Sequence, residues 1–229
     1  MTPSNSVFAL HSADLHPRAV SRYAQALALF QEGLDRYDEV RQRQGDDLSL
    51  GRYDRARGFL AASRAGLLAG GTLTLQHLLM DAAKPLRGAV EAAFGAFHVY
   101  HDPSAWSRWR QRPLAHECTR GPGDAARLAR HAVALEFSVA TVTREVRGWS
   151  APLAAAGLRL YDELIDAGGH FHYAAFDLIE TPDEAEVANG LKRVNRTAVV
   201  CLRMLDLLYG GIWNDRRLSD RVRTFTGSL

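Results

Sequence analysis

The stretch from Pro85 to His101, PLRGAVEAAFGAFHVYH, constrains the fold more than any other part of the chain. Placed on a helical wheel at ~100° per residue, it carries Leu86, Val90, Ala93, Phe97 and Tyr100 on one side and Gly88, Ala92, Gly95, Ala96 and Val99 on the other. A narrow wedge of Arg87, Glu91, Phe94, His98 and His101 lies between them. A helix that is apolar nearly all round must be surrounded by other elements. Its small-residue side lets neighbours come close, and the wedge is then expected to be enclosed rather than solvated. A charge in such a place is tolerated only when paired and hydrogen-bonded, which Arg87 and Glu91, four residues apart, can provide.

The neighbours are legible as further helices. From Arg18 the residues Val20, Tyr23, Leu27, Phe30, Leu34 and Tyr37 step by three and four, and Gly45 stops the run. A second helix is expected from about Tyr53 to Leu68, interrupted at Gly70-Gly71, with Thr72 capping a third that carries Leu73, Leu78, Leu79 and Met80 until Pro85 kinks or restarts it. After Asp102-Pro103, a short amphipathic piece from Ser104 to Arg112 presents Trp106 and Trp109, which are expected to clamp it to the core. A connector ending at Gly121-Pro122-Gly123 leads to a helix capped by Asp124, with Leu128, Ala132, Leu135, Val139, Val142 and Val146 on its inner stripe and Glu136 embedded among apolar neighbours. Another helix starts near Ser150-Ala151-Pro152 and ends at Gly168-Gly169. The last, about Glu184 to Tyr209, turns Leu191, Val194, Ala198, Leu202, Leu205 and Leu208 inward. No strand, repeat or linker is apparent. The expectation is an all-α, single-domain helical bundle of about six or seven helices over residues 18–215, with an N-terminal arm at 1–17 and a C-terminal tail at 216–229.

Charge and composition narrow the function classes. The 28 basic residues, of which only Lys84 and Lys192 are lysines, are nearly cancelled by 26 acidic ones. A net charge of +2 exerts no strong non-specific pull on nucleic acid, so the arginine excess reads as codon usage in a chain also rich in Ala, Gly and Leu. No segment reaches the ~18 consecutive apolar residues that span a bilayer, and the N-terminus has no cationic start followed by an apolar run. No membrane association is expected. Cys118 and Cys201 lie in different settings and read as free thiols in a reducing cytoplasm.

Three groups of residues carry candidate chemistry. Arg87 and Glu91 are either an architectural ion pair or, with His98 and His101 extending the seam, the wall of a pocket in which imidazole and carboxylate meet. The run Asp166-Ala-Gly-Gly-His170-Phe-His172 ends a helix with two histidines that an extended backbone points the same way. It lacks a third ligand at short spacing, so no metal is expected there, and no cofactor elsewhere. Trp106 and Trp109 beside Arg108, Arg110 and Arg112 suggest base stacking as an alternative to core packing. A glycine-rich phosphate loop, a zinc His-Glu-x-x-His, a Cys-x-x-Cys and a paired Glu-x-x-His are all missing from the sequence.

The run Lys84-Pro-Leu-Arg87-Gly-Ala-Val-Glu91-Ala-Ala-Phe, then Asp102-Pro with Trp106 and Arg110, then Leu160-Tyr161-Asp-Glu-Leu-Ile-Asp166-Ala-Gly-Gly-His170, resembles bacterial AbiV-like and HEPN-like helical proteins over roughly Tyr53 to Tyr209. The resemblance implies an α-helical bundle, and some members are ribonucleases of defence or toxin systems. It makes Arg87 and Glu91 a core pair and His170 the polar residue after the next-to-last long helix. Active members use an Arg followed by His with four to six residues between, a spacing that Arg110 and His116 meet, in a connector interrupted by Pro113.

The resulting expectation is a cytoplasmic protein that binds a protein partner, a second copy of itself or a small ligand through an interior polar seam, within a defence or stress system. Its ligand-binding residues would be Arg87, Glu91, His98, His101, Asp166 and His170. The alternative is metal-independent RNA cleavage, with Arg110, His116, His170 and His172 supplying charge stabilisation and acid–base groups.

Overall fold

Helical periodicity carries through the described chain. A computed structural model describes residues 51–113, 124–168 and 184–210, together with Gln31, Glu32, Leu34, Asp35 and Asp38 of an earlier helical stretch. The elements are α1 (Gly51–Leu75), α2 (Leu79–His101), α3 (Pro103–Gln111), α4 (Asp124–Glu136), α5 (Val139–Trp149), α6 (Ala151–Gly168) and α7 (Glu184–Leu205), the last running on into a π turn at Asp206–Gly210. The chain forms a single-domain all-α bundle, with no strand among the described residues.

The segment that is apolar all round is the central helix. α2 packs against α1, α5, α6 and α7, and every residue from Ala92 to Tyr100 is buried. The inward stripe of α7, from Leu191 to Leu208, is buried as its spacing predicts. Trp106 and Trp109 do clamp α3 to the core, their rings lying 6.4 and 5.1 Å from that of Phe59.

Several boundaries differ from the sequence expectation, each for a local physical reason. Gly70-Gly71 does not interrupt α1. A Cβ at Gly70 would lie 2.4 Å from Leu86 Cγ, and one at Gly66 would lie 2.6 Å from the Pro85 carbonyl oxygen, so these glycines let α1 and α2 touch. The break comes five residues later. His77 adopts φ 65°, Leu78 N–H donates to the Leu73 carbonyl and His77 N–H to that of Thr74, a Schellman closure with histidine where glycine is usual. Pro85 does not restart α2, because residues 79–84 already supply its first turns and only one backbone donor is missing. Asp102 both ends α2 and caps α3, its carboxylate accepting from Ser104 N–H at 2.8 Å, with Pro103 at the first helical position.

The long helix expected from Asp124 to Val146 is two. Ser138 caps α5 by accepting from Thr141 N–H, and the turn at Phe137-Ser138 rotates α4 relative to the stripe. Leu128 and Leu135 are consequently outside, 64% and 54% exposed, while Val139, Val142 and Val146 are buried as expected. Among the described residues, no helix is long and apolar enough to cross a membrane.

Candidate functional site

The polar wedge of α2 splits into two sites that face different neighbours. At its N-terminal half, Arg87 and Glu91 are not enclosed. Their side chains are 37% and 43% exposed, and Arg87 Nε lies 3.6 Å from Glu91 Oε1, beyond hydrogen-bonding distance. The small residue Gly88 and the outward turn of the wedge leave a cleft there instead of a packed wall. An ion pair this exposed contributes only about 0–1 kcal/mol, well below the ~3–5 kcal/mol lost when a buried pair is broken.

The partner of Glu91 comes from α6. Tyr161 Oη donates to Glu91 Oε1 at 2.8 Å, and burial together with the adjacent carboxylate pushes the phenol up to about 12, so it stays a neutral donor. This contact depends on Gly157, one turn earlier on α6. A Cβ there would sit 2.4 Å from Cζ of the buried Phe94, which follows Glu91 by one turn on α2. The glycine brings the two helices close enough for the phenol to reach the carboxylate.

Beside this contact opens a cleft of about 400 Å³, walled by Phe59 of α1, Gly88 and Glu91 of α2, Trp109 of α3, Phe137 from the α4–α5 turn and Tyr161 of α6. Trp109 and Phe137 approach to 4.6 Å between ring centroids, and the Arg112 guanidinium stacks 3.7 Å from the Trp109 ring. Burial and the nearby Arg130 lower the Arg112 pKa from its ordinary value. The volume lies within the ~300–1,000 Å³ of small-molecule sites, and the combination of aromatic walls with a few polar groups is typical of them.

The C-terminal half of the wedge joins a polar network in which His98 is the buried member. His98 is 6% exposed, with Nδ1 2.9 Å from Glu145 Oε2 of α5 and Nε2 3.0 Å from Glu136 Oε1 of α4. Carboxylate oxygens only accept, so both hydrogen bonds form when each ring nitrogen carries a proton. Arg108 of α3 grips Glu136 through Nε and Nη2 and also reaches Asp102 at 2.9 Å. The Arg108 guanidinium holds the Glu136 carboxyl below its ordinary value against an opposing effect of burial, with the His98 hydrogen bond adding to the lowering. Asp102 is held well below the usual carboxylate range, first by the Ser104 hydroxyl and then by Arg108. His98, Asp102 and Glu136 together offer three ligand atoms within 4.8 Å of one another, a donor set that the sequence spacing did not reveal. Arg108 already supplies the compensating positive charge between the two carboxylates, so the arrangement works as a clasp tying α3, α4 and α5 to α2.

The remaining sequence candidates fall elsewhere. His101 is exposed and stacks among Phe97, Tyr100 and Trp149, with the Trp149 ring centroid 4.8 Å away. It joins neither site. Arg110 is exposed on α3, 5.9 Å from the Trp106 ring, and Asp166 is exposed on α6. His116, His170 and His172, like Cys118, lie outside the described residues. Cys201 is fully buried against the Ala89 carbonyl. Tyr161, Arg108 and Glu145 gained their roles only from tertiary contacts, whereas Glu136 had a signal, being the single acid in an apolar run. Comparisons with protein-family models, curated proteins and solved structures give no match.

Proposed function

We propose that the protein binds a small organic molecule in the cleft between α1, α2, α3 and α6. One observation carries the reading: an opening of about 400 Å³ is walled by Phe59, Trp109 and Phe137, and its polar edge is a carboxylate already oriented by a phenol. Aromatic walls supply apolar contact over a flat ligand, and a fixed polar group orients it. The reading narrows the interior seam to Glu91, Tyr161 and the groove beside them, and leaves His98 to the clasp. The ribonuclease alternative depends on His116, His170 and His172, which lie outside the described residues. The cleft therefore carries the proposal.

Gly88 supplies the test. A Cβ at this position would meet nothing within 4 Å, so a Gly88→Leu side chain starts in open space and extends into the cleft that Gly88 lines. A collection of one- and two-ring compounds screened by thermal shift is expected to yield binders whose stabilisation disappears in Gly88→Leu. Binders that stabilise Gly88→Leu as strongly as the parent, or an empty screen, would refute the cleft as a ligand site.

A further inference from the structure

Among the described residues, one charged side chain lines the cleft, and the geometry around it selects a ligand charge. Glu91 is that residue among the described ones lining the opening. Two described residues approach the same oxygen of its carboxylate: Tyr161 Oη donates to Oε1 at 2.8 Å, and Arg87 Nε lies 3.6 Å from Oε1. Oε2 accepts no hydrogen bond from the described residues. The carboxylate is thus positioned by one donor, the Tyr161 phenol, with the Arg87 guanidinium only in ion-pair range, and Oε2 is left as an acceptor beside the rings of Phe59, Trp109 and Phe137. An acceptor of this kind takes a hydrogen-bond donor, most strongly a charged one, and aromatic faces add a favourable field for a cation. Arg112 is stacked on Trp109 3.7 Å from the ring centroid and is not among the described residues lining the cleft.

We infer that the cleft takes a small ring-bearing organic cation, its protonated amine on Glu91 Oε2 and its ring against Phe59, Trp109 and Phe137. This inference rests on the reading of the cleft as a ligand site. An opening of about 400 Å³ sits low in the range of small-molecule pockets, which suits one or two fused rings with a short amine arm. An organic anion is disfavoured, because it would bring a second negative charge to Glu91. Arg87 does not reverse this preference: its Nε stands 3.6 Å from Oε1, a half-exposed ion pair that makes no hydrogen bond to Glu91.

Three probes of matched shape and different charge decide the matter: tryptamine, its alcohol counterpart tryptophol, and indole-3-propionate. Their affinities are measured by isothermal titration calorimetry near neutral pH on the parent, Glu91→Gln and Gly88→Leu. Glutamine keeps an oxygen for Tyr161 and a similar volume, and the melting temperature of each variant reports that it is folded. Tryptamine is expected to bind the parent at least about tenfold more tightly than tryptophol, with indole-3-propionate weakest. Glu91→Gln should remove the tryptamine advantage and leave tryptophol within about twofold of its parent affinity, and high salt should shrink the advantage on the parent. Equal binding of tryptamine and tryptophol, tighter binding of the propionate, or an amine preference that survives in Glu91→Gln would overturn the inference. If tryptophol binds the parent, fails on Gly88→Leu and matches tryptamine, the charge selection falls while the cleft stands as a ligand site. If none of the three binds, the inference falls, and the thermal-shift screen alone decides whether the cleft takes another ligand.

Discussion

Gly157→Ala is expected to loosen the contact on which the candidate site depends. An added Cβ would stand 2.4 Å from Phe94 Cζ and 2.8 Å from its Cε2. That is about 1 Å inside the ~3.5 Å of ordinary carbon contact. Phe94 is completely buried and cannot swing away, so α6 must move off α2 or the ring must leave its rotamer. Overpacking of this kind costs about 1–3 kcal/mol, and alanine returns about 0.5–1 kcal/mol through its better helix propensity. At mid-range the net loss is about 1.3 kcal/mol, which for a chain of this size lowers Tm by roughly 3–5 °C. Thermal and urea unfolding followed by circular dichroism measures it. Phe94→Leu removes the clashing carbons, so the double variant should be less destabilised than the two single losses added together, by about 1 kcal/mol. Gly58→Ala provides the opposite control, since a Cβ there meets nothing within 4 Å in the middle of α1, and it should gain about 0.5–1 kcal/mol. A Gly157→Ala variant that melts at or above the parent would show that α6 does not approach α2 at this crossing, and the Tyr161–Glu91 contact would lose its geometric basis.

The clasp responds to acid. Glu136 has a folded pKa below its ordinary 4.5, so its contribution to stability is complete above about pH 4.5 and is lost as pH falls through the lower folded value. Glu136→Gln should remove about 2–3 kcal/mol at neutral pH and flatten the acid limb of a Tm-against-pH curve; an unchanged limb would mean that Glu136 is not the group being lost. Tyr161 behaves oppositely: its phenol is raised to about 12, so its contribution is complete below pH 10 and is lost as pH rises through the folded value. Ultraviolet titration should show the Tyr161 phenol ionising late, as a step that vanishes in Tyr161→Phe. His77→Gly should raise Tm by about 2 °C, because glycine carries no penalty at φ 65°; a fall would mean that the contacts of the imidazole outweigh the backbone strain.

The all-round apolar character of Pro85–His101 was enough to establish a central helix and hence a bundle around it, since such a helix has nowhere to go but inside. The three-four stepping in α7 likewise identified its buried face, and Asp102-Pro103 marked a boundary that side-chain capping enforces. These features are set by periodicity and by local backbone chemistry, both written along the chain. Other decisions needed the neighbours. Gly70-Gly71 reads as a break and is a contact, because whether a glycine bends a helix or admits another depends on what packs opposite; Leu86 does. Leu128 and Leu135 share the stripe of Val139 and Val142 in the sequence, but the turn at Phe137-Ser138 rotates them outward. The wedge of α2 is one continuous line on a helical wheel, yet Arg87 and Glu91 open onto a cleft while His98 is sealed by Glu136 and Glu145. A wheel orders the residues of one helix by angle; the burial of each, and the partner that satisfies its charge, are set by α4, α5 and α6, whose residues stand 38, 47 and 70 positions away from those they meet.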